Sequence, residues 1–318
     1  MNNLLFEQTP SMRKLVVILG TNASGKSELG ICLAKHFGGE IVSADSRQVY
    51  RGLDLGSGKI TPAQAAIVKH HLIDVADVTE YYSLAQYQRA AYSAIDSIFS
   101  AGKMPLLVGG TGLYLSAVVD GYQLVDAPPN EPLREELESL PLAQLVERLE
   151  KLAPDAASRI DKNNRRRLIR AIEITSAGYA DAAAHQNVPR YDCLQLGLTW
   201  PRDILEQRIE ARLRERLAQG MIDEVAGLRS RGVSDVRLDK LGLEYRYITR
   251  YLRGELRTAD DLFNQLVIAI RQFAKGQLTW FGRDSRILWL DPFKDYYQEA
   301  CDRIREWESA HLPAPLPE

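Results

Sequence analysis

An α/β fold, a parallel sheet flanked by helices with a helical insertion and a helical C-terminal half, follows from three features of this 318-residue sequence. Short apolar runs rich in β-branched residues alternate with helix-length amphipathic segments. One such run ends in a glycine-rich turn that opens directly into a helix. Between residues 128 and 193 the texture changes to charged, proline-punctuated, helix-favouring sequence. Alternation of strands with helices calls for crossover connections, and these set the strands parallel and cover both faces of the sheet.

In chain order, Leu15 to Leu19 reads as a strand and Lys26 to Phe37 as the amphipathic helix that follows it. Further strands are expected at Glu40 to Ala44, Pro105 to Val108 and Gln195 to Thr199, with a helix from Ser83 to Ala101 ahead of the second of these. Pro128, Pro129, Pro132 and Pro141 punctuate a helical insertion, residues 128–193, that divides a core formed by residues 12–127 and 194–318. Pro201 to Arg283 reads as several long helices with arginines at helical spacing, among them Arg208, Arg212 and Arg216, before a last strand from Ile287 to Leu290. No internal repeat occurs, and the closing HLPAPLPE is expected to be disordered.

Bulk composition excludes more than it identifies. Hydrophobic residues at 45% and charged residues at 26% are the balance of a globular protein with a substantial core. A formal net charge of -2 gives no global attraction for nucleic acid, so any polyanion has to be held by local clusters of the 40 Lys and Arg residues. Cys32, Cys193 and Cys301 are too far apart in sequence for a CxxC zinc site and form no disulfide framework, so they read as reduced and structural. No apolar run reaches the roughly 18 to 20 residues that span a bilayer, and MNNLLFEQTP lacks a signal-peptide core. A cytoplasmic protein without a membrane partner is expected.

The segment Gly20-Thr21-Asn22-Ala23-Ser24-Gly25-Lys26-Ser27 fits GxxxxGK[ST] and lies between an expected strand and an expected helix. Successive backbone N–H groups at a helix N-terminus form a nest for phosphate oxygens, Lys26 adds a positive charge, and the Ser27 hydroxyl can ligate Mg²⁺. A connecting glycine turn is the competing reading, and the strand-loop-helix context argues against it. The motif leaves the identity of the polyphosphate open, because a kinase, an ATPase and a transferase that expels diphosphate all use such a loop.

Two further segments narrow the choice. Asp45-Ser46-Arg47-Gln48-Val49-Tyr50-Arg51-Gly52 follows the second strand, and Gly109-Gly110-Thr111-Gly112-Leu113-Tyr114 follows the strand that begins at Pro105. In a doubly wound sheet both positions are carboxyl ends of strands, where ligands bind. Asp45 followed by Ser46 is by itself most often a turn or a helix cap. Glycines in the second segment let backbone approach a ligand, and Thr111 supplies a hydroxyl.

Together these segments resemble the tRNA dimethylallyltransferase family, which carries a phosphate loop close to GxTASGKS, then DSRQVYRG, then GGTGLYL, in this order. Arg165-Arg166-Arg167-Leu168-Ile169-Arg170-Ala171-Ile172-Glu173 resembles the family's tRNA-contacting helix, and Arg271 to Phe281 resembles its RQxAKRQxTWF segment. The likeness spans residues 15 to 290. It departs from the family at Asn22, at Gly58 in a GTAK-like stretch, at Leu243-Glu244-Tyr245-Arg246 near a usual IGYKE, and at Gly276 and Gly282, where basic residues are common.

The resemblance implies transfer of a dimethylallyl group from dimethylallyl diphosphate to N6 of the adenosine at tRNA position 37, 3′ of the anticodon. It implies Asp45 as the group that takes the amine proton and Thr111 as a contact to the oxygen joining allyl group and diphosphate. Gly20, Thr21, Asn22, Ala23, Ser24, Gly25, Lys26, Ser27 and Arg212 would hold the diphosphate, with Mg²⁺ at Ser27. Asp45, Ser46, Arg47 and Gln48 would line the adenine channel. Arg134, Arg166, Arg167, Leu168, Ile169, Arg170, Lys275 and Gln277 would contact the tRNA. A monomer acting on tRNA is the implied assembly.

Three other readings stay open at the level of sequence: a phosphate-loop kinase with Asp74 on Mg²⁺, a prenyltransferase for free AMP or ATP, and an RNA-binding protein without turnover. A charge run such as Arg165 to Arg170 is otherwise a solvated helix face. His70 and His71 read as structural, and Trp280 and Phe281 as core.

Overall fold

Residues 12–127, 129–179 and 187–310 are described by a computed structural model. The expectations for MNNLLFEQTP, Pro128 and the HLPAPLPE tail fall outside the described residues.

Strand β1 (Arg13–Gly20) leads through the glycine-rich turn into α1 (Lys26–His36), followed by β2 (Glu40–Ala44), α2 (Pro62–Ile67) and the two-residue β3 (His70–His71). After α3 (Leu84–Ser100) come β4 (Pro105–Gly109) and α4 (Gly112–Val119). Four helices then run without a strand: α5 (Glu131–Ser139), α6 (Leu142–Leu152), α7 (Pro154–Arg159) and α8 (Arg165–Ser176). The chain returns to the sheet as β5 (Tyr191–Leu198) and leaves it as α9 (Arg202–Ala218), α10 (Met221–Ser230), α11 (Asp235–Leu241), α12 (Leu243–Leu252) and α13 (Ala259–Phe281). It closes with β6 (Leu288–Trp289) and α14 (Tyr296–Ser309).

The six strands pair in parallel in the order β3-β2-β4-β1-β5-β6, so the three strands that end in the distinctive segments, β2, β4 and β1, are neighbours. Their carboxyl ends open on one edge of the sheet. Local chemistry sets the helix boundaries: Ser83 and Gln86 form a reciprocal capping box at the start of α3, as Thr258 and Asp261 do for α13. Both faces of the sheet are covered. Val17, Leu19, Val42 and Leu107 point to the side packed by α3, α4, α9 and α13, while Val16, Ile18, Ile41 and Leu106 face α1 and α14. Helices α5 to α8 have a separate core of Leu137, Leu145, Leu149, Leu168 and Ile172.

Two boundaries differ from the expectation. Strand β5 begins at Tyr191, and Tyr191, Asp192 and Cys193 pair with Arg13, Lys14 and Leu15, so these three residues belong to the sheet rather than to the insertion. The apolar run marks only the continuously buried length of the strand, and ahead of it Asp192 and Cys193, like Arg13 and Lys14, are partly open to solvent. Strand β6 is only Leu288–Trp289, because the outermost strand has one neighbour and pairs only where Leu196 and Gly197 meet it. Among the described residues no helix is long and apolar enough to cross a membrane.

Candidate active site

The phosphate loop is held from three sides. Gln277 on α13 takes the Asn22 N–H on Oε1 at 2.9 Å. Trp200 donates its indole N–H to the Ser24 carbonyl at 2.9 Å, and Arg208 on α9 donates to the Ala23 carbonyl at 2.8 Å. Thr21 and Thr199 bring their hydroxyls within 3.3 Å of each other at the ends of β1 and β5. Ala23 has φ 61°, a left-handed conformation that costs a non-glycine residue of the order of 1 kcal/mol and persists where the surroundings enforce it. Lys26 folds back so that its ammonium donates to the Thr21 carbonyl at 3.0 Å.

The loops after β2 and β4 are knitted together beside it. Thr111 donates its N–H to the Ala44 carbonyl at 3.1 Å and takes the Ser46 N–H on its hydroxyl at 3.0 Å. Asp45 Oδ1 accepts the N–H groups of Arg47 at 2.8 Å and Gln48 at 3.4 Å. The turn reading of Asp45 is therefore right for one of its oxygens. Gln48 bridges outward, accepting from the Ser43 hydroxyl at 3.1 Å and donating to the Gly58 carbonyl at 3.3 Å. Gly112 is dictated by crowding: a Cβ there would lie 2.4 Å from the Trp280 ring. Tyr87 and Tyr114 stack under this floor with centroids 3.7 Å apart, and the Tyr87 hydroxyl donates to the Ser43 carbonyl.

The electrostatics identify what these loops surround. Burial, and then the neighbouring Arg212 and Arg216, lower the Lys26 pKa to about 8 in spite of Asp45. Burial and Arg216 bring Arg212 down to about 10. Cations resist being brought together in a half-buried space, so three of them facing one another mark a place for an anion. The stripe Arg208, Arg212 and Arg216 lies along one side of α9, whose neighbouring face buries Leu205, Ile209 and Leu213. Its helical spacing is visible in the sequence, which nonetheless singled out Arg212 alone. Arg208 at the phosphate loop and Arg216 beside Glu244 went unassigned.

Glu224 is a further residue that sequence reasoning missed. Its carboxylate accepts the N–H groups of Asp54, Leu55 and Gly56 at 3.2, 2.6 and 3.1 Å and the Tyr245 hydroxyl at 2.9 Å. It thereby fixes the loop that carries Gly58. No local pattern separates it from Asp223, the other acid in the first turn of α10.

The structure redistributes the residues implied as tRNA contacts. Leu168 and Ile169 are buried in the core of the insertion, since α8 needs an apolar stripe to pack on α6. Gln277 is buried too, with its amide donating to the Gly110 carbonyl at 2.9 Å, so it joins the phosphate loop to the Gly-Thr-Gly loop within the protein. Arg134 and Arg170 pair with the buried Glu173, and Arg170 also donates to the Ala127 carbonyl. Arg166, Arg167 and Lys275 are exposed, while Ser46, Arg47 and Gln48 are half-buried at the site. Ser27 lies exposed in the first turn of α1.

Asp74 does not reach the phosphate loop. It follows the edge strand β3, three strand positions away from β1 or about 14 Å at the usual strand spacing, and it pairs with Lys59 at 2.5 Å. His71 bonds Glu40 at 2.7 Å and His70 the Val68 carbonyl at 2.7 Å, both structural roles. Phe281 is core and Trp280 packs against it.

The pattern of known proteins agrees with this geometry. A family model described as IPP transferase matches residues 48–284. The tRNA dimethylallyltransferase 2 of Shewanella sediminis is 43% identical over 296 residues, covering 92% of this chain and 98% of that one. A crystal structure of the tRNA isopentenylpyrophosphate transferase of Bacillus halodurans superposes with a TM-score of 0.70 at 37% identity, covering 94% of this chain and 98% of the other. A eukaryotic dimethylallyltransferase acting on tRNA superposes with a TM-score of 0.78 at 25% identity, covering 96% and 81%. With a six-stranded parallel sheet, a phosphate loop and this extent of likeness, the chain belongs to the IPP transferase family of tRNA dimethylallyltransferases.

Proposed function

We propose that this protein transfers the dimethylallyl group of dimethylallyl diphosphate to N6 of the adenosine at tRNA position 37, releasing diphosphate. The observation that carries the reading is the convergence of Lys26, Arg212 and Arg216 on the phosphate loop, beside a carboxylate, Asp45, that takes part in the same charge cluster. An exocyclic amine is a weak nucleophile, so the site has to position it and remove its proton as the bond forms. The N6 lone pair forms the new bond to the allylic carbon, the carbon–oxygen bond breaks with its electrons going to diphosphate, and the amine proton passes to Asp45. Anchoring of Oδ1 by two backbone N–H groups holds this carboxylate in place for Oδ2 to act.

Lys26, Arg212 and the phosphate-loop amides receive the charge that grows on the leaving group. Thr111, fixed by Ala44 and Ser46, turns its hydroxyl toward the bridging oxygen. Among the described residues no cluster of three or more His, Cys, Asp or Glu side chains forms a metal site. A single hydroxyl, Ser27, fits a magnesium ion held mainly by diphosphate oxygens, the usual mode for this ion. When bound, it adds positive charge at the leaving group.

Residues 129–179 and 187–190 act as a tRNA-gripping insertion on a core formed by 12–127 and 191–310. Arg166, Arg167 and Lys275 are the exposed cations for the backbone of the anticodon stem-loop. The target adenine leaves its stack to reach Asp45. The enzyme works as a cytoplasmic monomer.

The test is a side-by-side assay with labelled dimethylallyl diphosphate and AMP, ATP or an anticodon stem-loop as acceptor, followed by mass analysis of the nucleosides. The stem-loop is expected to gain one dimethylallyl group, with diphosphate released only in its presence. Prenylated AMP with an unmodified stem-loop would overturn the choice of acceptor, and ADP formed from ATP would overturn the transfer chemistry.

A further inference from the structure

Two positions at which this chain departs from its family, Gly58 and Glu244, meet at a single side chain. An ideal Cβ on Gly58 would lie 1.8 Å from Arg216 Nη2 and 2.5 Å from Arg212 Nη2, so the guanidinium of Arg216 occupies the space that any other residue at 58 would fill. Gly58 also holds φ +63°, a left-handed conformation suited to glycine. On its other side Arg216 Nη1 lies 3.6 Å from Glu244 Oε1, and both side chains are nearly buried, at 13% and 14% exposure. Arg212 reaches the Gly58 carbonyl at 3.5 Å, and Gln48 reaches the same carbonyl at 3.3 Å. The loop therefore places Arg216 next to the diphosphate arginine and within the charge field of Lys26.

We propose that Arg216 is a second guanidinium for the diphosphate leaving group, and that Glu244 is the positioning residue that holds it in the site. The inference rests on the prenyl-transfer reading above. Three cations, Lys26, Arg212 and Arg216, face two carboxylates, Asp45 and Glu244, and the surplus positive charge is available to an anion. A carboxylate beside Arg216 keeps its long side chain from swinging into solvent when diphosphate is absent. It also opposes the anion directly, so Glu244 improves geometry at some expense of binding. Glu224, by clamping residues 54 to 56, sets the loop at the height where Gly58 and Arg216 meet.

The experiment compares wild type with Arg216→Gln, Gly58→Ala and Glu244→Gln, using pyrophosphate titration calorimetry together with steady-state transfer to an anticodon stem-loop. Arg216→Gln should weaken pyrophosphate binding about 10-fold and lower kcat/KM for dimethylallyl diphosphate by 10-fold or more, with stem-loop affinity unchanged. Gly58→Ala, whose methyl would meet both guanidinium groups, should weaken pyrophosphate binding in the same direction and at least as far as Arg216→Gln. Glu244→Gln should split the constants, lowering kcat about 5-fold while KM for the donor stays level or falls, an outcome that a purely structural glutamate does not give. Normal pyrophosphate affinity in a folded Arg216→Gln or Gly58→Ala protein overturns the proposal. Absence of prenyl transfer by the wild type overturns the underlying reading instead, and a thermal melt separates either result from misfolding.

Discussion

The insertion and the loop end of the sheet are both rich in arginine, and they use it in opposite ways. In the insertion the cations are largely spent. Arg134 and Arg170 serve Glu173, which is buried and also takes the Asn130 N–H at 3.0 Å, and Arg165 covers the carbonyls of Leu137, Glu138 and Leu140 at the end of α5. At the loop end, Lys26, Arg212 and Arg216 are turned toward one another, and their mutual repulsion and burial depress two of their pKa values. The contrast separates structural charge from functional charge. A run of four arginines in six residues looks like the stronger anion site on paper, yet only Arg166 and Arg167 of that run are exposed. Three cations scattered over 190 residues of chain form the more buried cluster.

The comparison can be broken first at its strongest point. Lys26→Ala should reduce prenyl transfer by about 10³-fold or more, the scale for removing a main electrostatic contact to a leaving group, while stem-loop binding stays within a few-fold of wild type. Equal loss of both in a binding and single-turnover assay would merge the two regions into one. Asp45→Asn should cut the single-turnover rate by about 10²-fold with pyrophosphate affinity preserved or improved, because a negative charge leaves the anion site. A rate equal to wild type would remove Asp45 as the base.

In the insertion the expected effects are on stability and on salt. Glu173→Gln leaves Arg134 and Arg170 without their buried partner and should destabilise α5 to α8 by about 2 kcal/mol, lowering stem-loop affinity through local unfolding while pyrophosphate binding persists. Burial raises the Glu173 pKa, but Arg134 and the Asn130 N–H outweigh it, so the net pKa lies below the ordinary value. The contribution is therefore present above the unfolded-state pKa and lost as pH falls through the folded one, which hydrogen exchange on α8 at acid pH would register. Arg166→Ala/Arg167→Ala should reduce the salt dependence of stem-loop binding by a slope of about 0.7 to 0.9 for each lost phosphate contact. Gly276, exposed and with open space about its Cα, accepts the reverse change, and Gly276→Arg should add about one contact. Unchanged slopes in both variants would make these positions solvated surface.

How far the sequence reaches follows from the same division. The phosphate loop, the turn at Asp45 and the loop at Thr111 are legible because each needs a fixed local string, and β1, β2 and β4 are legible because most of their residues are buried and apolar. The edge strand β6 and the start of β5 are not, since partly exposed strand residues carry no hydrophobic signal. The family resemblance implies Gln277 as a tRNA contact, and only the packing of α13 against the phosphate loop reveals its hydrogen bonds to Asn22 and Gly110. Arg216, Glu224 and Glu244 act through residues 54 to 58, far away in sequence, so no local pattern marks them.

The central claim is that the cations at the loop end are held together awaiting a diphosphate, and proton uptake on binding tests it most directly. Lys26, with a pKa of about 8, is half deprotonated at pH 8, and an anion beside it restores the charged form. Pyrophosphate affinity should therefore fall as pH rises above 8. Titration calorimetry at pH 8 in two buffers of different ionisation enthalpy should report more proton uptake for the wild type than for Lys26→Ala, the ligand's own protons being common to both. Tight pyrophosphate binding by the wild type with the same proton exchange as Lys26→Ala would contradict the account.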